Sequence, residues 1–231
     1  DVTNRVSALV AGNKITWHQR KIDDLARVER KENDNRIYPQ WYAPVIVLEG
    51  QRRVIRPMRY HCRPENMPAM VKNDFGKMVP FEVGFDGCYN SRRDSLEKFW
   101  RMQYGRRHAD MVITSFFENV ALHDFEHREK RPDEDEKNLV IQFQPKTAGE
   151  MRVACLWSHI EANGHPHMHS FAAITDEPPP EVAAAGHDRC LIPLTPPSLE
   201  VWLRPESVSK GELQAALDNR VKPYYEHKVA A

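Results

Sequence analysis

The sequence lacks long hydrophobic runs, since no segment holds 18 or more uninterrupted apolar residues, the length at which a membrane-spanning helix becomes a candidate. Its first residues, DVTNRVSALV, lack the basic and apolar blocks of a secretory signal peptide. Cysteine is scarce, and Cys62, Cys88, Cys155 and Cys190 form no C-x-x-C pair. These absences argue against a membrane protein and a disulfide-built secreted domain, so we expect reduced thiols in a cytoplasmic protein.

The sequence also lacks a net charge, with 33 Lys and Arg against 33 Asp and Glu. The distribution is uneven, because residues 1–110 hold 21 basic against 14 acidic residues, whereas residues 111–231 hold 12 against 19. A basic half can attract a polyanion even when the whole molecule is neutral. A solvated surface of mixed charge explains the same numbers, so charge alone leaves a nucleic-acid partner open.

Short apolar and β-branched segments separated by turn residues predict strands at 43–49, 54–62, the start of 109–126, 138–144, 151–158, 169–175 and 190–194. The second strand is expected at a sheet edge, because Pro57 cannot donate a backbone hydrogen bond. Helices are predicted at 21–33, 94–104, 197–203 and 209–218. The pattern has no βαβ rhythm. It predicts an α+β fold, with one domain over residues 1–231, a largely antiparallel, barrel-like β-sheet and peripheral short helices.

Four histidines lie close together in the segment HIEANGHPHMHSF, residues 159–171. In a strand, alternation places His165, His167 and His169 on one face, where imidazoles two residues apart can share a zinc, nickel or iron ion. A histidine-rich hairpin tip after the turn signal Asn163-Gly164 explains the same residues without a metal.

Glu118 lies inside the apolar segment SFFENV. Burying a charged carboxylate costs several kcal/mol unless it is paired or its pKa rises, and a raised pKa suits a general acid or base. An outward-facing glutamate on the polar side of an alternating strand is an equal alternative.

Two polar segments adjoin predicted elements. In AAAGHDRCLIPL, an alanine-glycine run indicates a flexible approach to His187, which can carry protons or lie in solvent within a turn where Asp188 pairs with Arg189. In CYNSRRDS, Asn90 and Arg92 precede a predicted helix start at Ser95 and could contact phosphate. A loop in which Arg92 pairs with Asp94 is the alternative.

Five blocks follow one another in a recognisable order: YNSRRDSLEKF (89–99), SFFEN (115–119), ACLWS (154–158), SFAAIT (170–175) and GHDRCLIPL (186–194). In their order and spacing, the chain resembles the SOS-response-associated peptidase (SRAP) family from about residue 40 to residue 205. The resemblance implies a DNA-damage-response protein that binds single-stranded DNA and senses abasic sites. In that family the α-amine of an N-terminal cysteine condenses with the abasic aldehyde, and the thiolate then closes a thiazolidine ring that crosslinks protein to DNA.

The resemblance also assigns roles to residues of this chain. Asn90 would orient the nucleophile, Glu118 would act as general acid/base, and His187 would hold or relay a proton. Phosphate contacts would come from Arg92, Ser95, Arg53, Arg56 and Arg59. The chain departs from the family pattern, because it starts at Asp1 and Asn66 replaces a tryptophan that wedges against bases, a role that Trp41 or Tyr60 could take.

The sequence leaves open whether the protein is an enzyme. The resemblance implies a thiol autopeptidase or abasic-site crosslinking activity, of the hydrolase or lyase class, if a Met-Cys start precedes Asp1. One alternative is a metal-dependent, cupin-like barrel enzyme that uses His165, His167 and His169. Another is a non-catalytic DNA-binding relative that lost the nucleophile. The expectation is a monomer in the cytoplasm of a bacterial or phage-related system, with abasic single-stranded DNA as partner, no membrane and no cofactor.

Overall fold

The computed structural model describes residues 36–68, 70–84, 88–160 and 168–230. The predicted helix at 21–33 lies outside them. The strands are β1 (Tyr42–Glu49), β2 (Arg52–Tyr60), β3 (Met70–Lys72), β4 (Met78–Pro80), β5 (Asn90–Arg92), β6 (His108–Ile113), β7 (Phe116–Ala121), β8 (Asn138–Pro145), β9 (Met151–Ile160), β10 (Met168–Asp176), β11 (Cys190–Leu191) and β12 (Tyr225–Val229). The helices are α1 (Phe81–Gly84), α2 (Leu122–Phe125), α3 (Pro180–Ala184), α4 (Pro196–Trp202) and α5 (Lys210–Asp218).

The main sheet has the strand order β11-β10-β2-β1-β6-β9, and it closes into a barrel because β9 also pairs with β10. Most pairs are antiparallel, but β10 runs parallel to both β2 and β5. The predicted α+β fold with a barrel-like sheet and short helices is therefore confirmed, with a mixed sheet. In the described part of the chain, no helix is long and apolar enough to cross a membrane.

Strand β10 pairs with four strands of this sheet, β2, β5, β9 and β11, and its residues from Ser170 to Thr175 are all buried. Phe171 and Ala173 point into one core cluster, whereas Ala172 and Ile174 point into a second cluster that includes Trp202 of α4. A strand that is covered on both faces reads as a continuous apolar run, as this one does. Strand β10 therefore provides a rigid support for the strands that pair with it and for the side chains that they carry.

A second sheet, with the order β12-β8-β7, packs onto the first core cluster. Aromatic rings of its three strands pack on one another and belong to that cluster, with centroids 5.1 Å apart for Phe116 and Phe143 and 5.2 Å apart for Phe116 and Tyr225. Alternation along β7 places Glu118 on the same side as Phe116 and Val120, both buried. The two sheets thus position this glutamate toward the interior.

Two sequence predictions differ from the structure. β2 lies between β1 and β10 and is not an edge strand. Pro57 is tolerated because β10 pairs with only Arg59 and Tyr60 of β2. On the side that faces away from β1, none of the described strands lies opposite Pro57 to require a backbone N–H donor.

The predicted helix at 94–104 is instead a 3₁₀ turn (Arg93–Ser95) followed by hydrogen-bonded turns. The backbone bonds to the Ser95 carbonyl come from both Lys98 and Trp100, so no regular α-helical spacing develops. The apolar residues are nevertheless buried at the predicted positions, with Leu96 at 0% and Trp100 at 3% exposure.

Candidate functional site

Glu118 and His187 meet although they are far apart in the chain. Glu118 lies in the middle of β7, and His187 lies in the turn between α3 and β11. The His187 Nε2 atom lies 3.3 Å from the Glu118 Oε2 atom, and the two side chains are only 17% and 16% exposed. The equal alternatives for Glu118 are thereby resolved in favour of an inward-facing, paired carboxyl.

The other ring nitrogen of His187 fixes how this pair can share a proton. Its Nδ1 atom is 2.8 Å from the backbone carbonyl oxygen of Arg189, which can only accept a hydrogen bond. The backbone N–H of Arg189 also lies 3.3 Å from Nδ1, and the shorter contact with the carbonyl oxygen favours a proton on Nδ1. With Nδ1 protonated, Nε2 faces Glu118 either as an acceptor from the neutral carboxyl or as a donor to the carboxylate. One proton can thus reside on either partner.

Burial raises the pKa of Glu118 from 4.5 to about 7. The nearby imidazole of His187 opposes this rise, and the carboxylate of Asp188 adds to it. A group with this pKa is present in both protonation states at neutral pH, as general acid/base chemistry requires.

The same shift predicts how stability depends on pH. Between about pH 4.5 and 7 the folded chain holds a proton on Glu118 that the unfolded chain has lost, so stability falls as pH rises through this window. We expect the Glu118→Gln variant to gain up to about 3 kcal/mol in unfolding free energy relative to wild type between pH 4.5 and pH 8. Urea unfolding of both proteins across this range measures the difference, and parallel curves would contradict the assignment.

Asn90 is connected to the same site through Tyr60. The Tyr60 hydroxyl donates to the Asn90 Oδ1 atom across 3.2 Å, and its ring stacks on Phe171 with centroids 5.2 Å apart. Burial raises the pKa of Tyr60, and the charge of Glu118 raises it further. The three predicted catalytic residues are thus connected in series: Asn90 bonds to Tyr60, Glu118 lies near enough to Tyr60 to affect its pKa, and His187 contacts Glu118.

Gly186 lets the His187 turn approach β7 and α2 closely. It has a φ of +87°, and a Cβ atom there would lie 2.8 Å from Val120 Cγ1 and 3.0 Å from the backbone carbon of Asp124. The alanines before it are not a flexible run, because Ala183 and Ala184 end helix α3 and Ala185 is buried. Glycine is therefore required here for space and for backbone conformation.

An open groove of about 630 Å³ adjoins His187 on the side of α2. Its lining includes the carboxylates of Asp124, Glu129, Glu177 and Asp188, along with Arg128. Arg128 is already paired with Glu134, at 2.6 Å. This side of the site is acidic and disfavours phosphate.

Most of the predicted phosphate-contacting arginines already have protein partners. Arg53 pairs with Glu200 and Arg56 pairs with Glu49. Arg53 is seven residues from Tyr60 along β2 and so lies about 23 Å from it. Arg53 is therefore distant from the site, and the acidic partners offset the charge of both arginines.

Arg59 requires a correction. It is completely buried and donates to the backbone oxygen of His61 across 3.2 Å, so it cannot meet a phosphate at the surface. Arg92 is exposed beside Asn90 and pairs with Asp94 at 3.0 Å. Ser95 donates to the Arg92 carbonyl oxygen across 2.7 Å and caps no helix.

The histidine cluster is described only in part, because His165 and His167 lie outside the described residues. His169 stacks on His159 of the neighbouring strand, with centroids 4.3 Å apart and planes 3° from parallel. Among the described residues no group of three His, Cys, Asp or Glu side chains is arranged to hold a metal. Elemental analysis of the purified protein tests the metal alternative.

The sequence assigns Gly186 only a part in a flexible approach to His187, and it suggests Tyr60 only as a stacking residue. The sequence shows a glycine before His-Asp-Arg. It does not show that this glycine lies against Asp124, because the two residues are 62 positions apart in the chain. The Tyr60–Asn90 bond joins two strands that are separately aligned on β10, which no local pattern indicates.

The sequence model of the SOS response associated peptidase (SRAP) family matches residues 5–230 of this chain. No curated protein matches it.

Solved structures share the fold. A protein from Bacteroides thetaiotaomicron superimposes with a TM-score of 0.58 at 16% identity, covering 91% of this chain and 88% of its own. A protein from Bordetella bronchiseptica gives 0.60 at 13% identity, covering 87% and 90%. A phage-related protein from the same organism gives 0.58 at 14% identity, covering 84% and 80%. At these identities the likeness concerns the fold alone.

Proposed function

Because the chain belongs to the SOS response associated peptidase (SRAP) family, we propose that it binds single-stranded DNA and captures abasic sites as a covalent crosslink. The observation that best supports this function is the Glu118–His187 pair, 3.3 Å apart in a largely buried site. A carboxyl whose pKa is about 7 can both donate and accept a proton at neutral pH. Asn90, which is linked to this site through Tyr60, would orient a reacting group.

The proposed reaction begins with a free aldehyde on the ring-opened abasic sugar. The α-amine of an N-terminal cysteine adds to the aldehyde carbon, and Glu118 protonates the resulting hydroxyl, which leaves as water. The cysteine sulfur then adds to the iminium carbon and closes a thiazolidine ring, while its proton returns to Glu118. One water is released and no electron acceptor is needed.

The nucleophile in this proposal is a cysteine that precedes Asp1. Cys62, Cys88, Cys155 and Cys190 lie within the chain, so none carries a free α-amine. All four are buried as well, and burial raises the pKa of the Cys62 thiol to about 11. These thiols are not poised to react.

The charges around the site favour one direction of approach for the DNA. The groove beside His187 is lined by carboxylates, which repel phosphate. Arg92 is not among the residues that line this groove, and it lies in β5 next to Asn90 with 53% of its side chain exposed. We therefore expect the DNA strand to approach the site from the side of β5.

The test is a denaturing gel of a Met-Cys-initiated chain mixed with a short abasic single strand. The expected result is a shifted covalent band with the abasic strand and none with an intact strand or a tetrahydrofuran analogue, which lacks the aldehyde. A Met-Ser-initiated chain is the matched control and should give no band.

Other outcomes discriminate among the functions. If the cysteine-initiated chain gives no adduct but binds single strands in a salt-dependent manner, it is a non-catalytic DNA-binding relative. If it binds no single strand, the DNA function itself is excluded.

A further inference from the structure

A hairpin made of β3 and β4 presents an apolar tip to solvent. Phe75, between the two strands, is 94% exposed, and Met70 and Met78 in the strands are 40% and 50% exposed. Single exposed apolar residues are ordinary, but three on one short hairpin form a patch of the kind that binds a partner.

The turn that holds Phe75 is well ordered. The Asn73 Oδ1 atom accepts from the backbone N–H of Phe75 at 3.1 Å and of Lys77 at 2.9 Å. The N–H of Gly76 donates to the Asn73 carbonyl oxygen at 2.8 Å, and its φ of +73° suits glycine. The backbone that carries Phe75 is thus held in place, so little backbone entropy is left to lose on binding.

The base of the hairpin is fixed to the wall of the candidate site. Val71 and Val79 pack so closely on Gly84 of α1 that a Cβ there would lie 2.7 and 2.8 Å from their methyl groups. At the start of α1, buried Phe81 contacts His61 with ring centroids 6.4 Å apart.

From His61 the contacts continue to the site. The His61 ring meets Tyr89 at 6.5 Å between centroids, and Tyr89 directly precedes Asn90. The hairpin therefore projects from the part of the molecule that holds Asn90.

The charges of the hairpin suit a polyanion. Lys72 and Lys77 are exposed on either side of the tip, and Asp74 is the single acidic residue between Met70 and Met78. An aromatic ring flanked by cations is the combination with which proteins stack bases and contact the phosphates between them.

We propose that Phe75 stacks on a nucleobase that flanks the abasic site, while Lys72 and Lys77 contact the adjoining phosphates. This inference rests on the proposed function and names a subsite of it. The wedge position carries Asn66 in this chain. The other candidates are engaged elsewhere, since Trp41 packs on Tyr38 with centroids 5.0 Å apart and Tyr60 bonds to Asn90.

The first test measures affinity for a single strand with a tetrahydrofuran analogue, so that binding is separated from chemistry. Phe75→Ala should weaken binding about 5- to 150-fold, the usual effect of removing one stacking ring, and Phe75→Trp should restore it. Tyr224→Ala removes another exposed aromatic near a lysine, 59% exposed with Lys146 5.9 Å from its ring, and should bind as wild type.

Salt dependence separates stacking from charge. Phe75→Ala should leave the slope of log affinity against log salt unchanged, whereas Lys72→Ala should reduce it by about 0.7, the contribution of one phosphate contact on a single strand.

A 2-aminopurine beside the lesion should be quenched by wild type and by Phe75→Trp, but not by Phe75→Ala. Equal melting temperatures would show that all variants are folded.

Two results would overturn the inference and leave the proposed function standing. One is a Phe75→Ala affinity within twofold of wild type when wild type binds DNA. The other is a wild type that self-associates through this patch, with Phe75→Ala monomeric and its DNA affinity unchanged. If wild type binds no single strand, both proposals fail together.

Discussion

We expect the Glu118→Gln variant to form the abasic-site crosslink about 10² to 10⁴ times more slowly than wild type, both initiated with Met-Cys. Glutamine keeps the shape of the side chain. It can neither give a proton to the leaving hydroxyl nor take one from the cysteine thiol. Because burial raises the pKa of Glu118 to about 7, the pH profile of the wild-type crosslinking rate should have an inflection near pH 7. The variant should lack this inflection. Single-turnover rates from pH 5 to 9 on denaturing gels measure both effects.

A control for this substitution is available beside the site. Glu177 borders the groove and lies 3.1 Å from Arg189, but its side chain is 83% exposed. Glu177→Gln removes the same charge nearby and should crosslink at the wild-type rate. Both variants should bind the tetrahydrofuran strand as wild type does. A Glu118→Gln rate within threefold of wild type would exclude Glu118 as the proton carrier.

Strands and helices could be predicted from the sequence where the local spacing of apolar residues determines the secondary structure. The strands at 43–49 and 138–144 alternate or run apolar, and the structure has β1 and β8 there. The helix predicted at 209–218 is α5, which begins with a capping box from Ser209 to Glu212. The segment at 94–104 has the apolar spacing of a helix but not its hydrogen bonds, because core packing outweighs helical propensity there.

The side of β7 on which Glu118 points could not be predicted locally. Both neighbours, Phe117 and Asn119, are partly or fully exposed, whereas in the sequence Phe117 looks as apolar as Phe116. The choice depends on the aromatic contact of Phe116 with Phe143 and Tyr225, residues 27 and 109 positions away. Only the tertiary structure decides which phenylalanine is in the core.

The different environments of the basic residues could not be predicted from the sequence for a similar reason. The sequence shows Arg53, Arg56 and Arg59 as a cluster, but it does not show that Arg53 meets Glu200, 147 residues away. Arg53 and Arg59 lie on the same face of β2, yet Arg53 is exposed at the start of the strand and Arg59 is fully buried near its end. A count of charges in a strand therefore predicts neither a common environment nor a free guanidinium.

We expect Gly186→Ala to lower the crosslinking rate about 100-fold, although Gly186 contributes no reacting group. The new Cβ would meet the α2 backbone at Asp124 and Phe125, 3.0 and 3.1 Å away, as well as Val120. A helix backbone cannot yield as a side chain can, so the 186–189 turn must move and take His187 away from Glu118. Displacements of about 1 Å in a catalytic group cost rates of this order.

Gly105→Ala separates this steric effect from backbone strain. Gly105 has a φ of +83°, close to the +87° of Gly186, but a Cβ there would meet nothing within 4 Å. Both variants should lose about 1 kcal/mol or more of stability, because an alanine at positive φ is strained, and only Gly186→Ala should lose crosslinking rate. Since His187 lowers the pKa of Glu118, its displacement should also move the rate inflection above pH 7. If Gly186→Ala and Gly105→Ala crosslink equally fast, the close approach of this turn has no part in the chemistry.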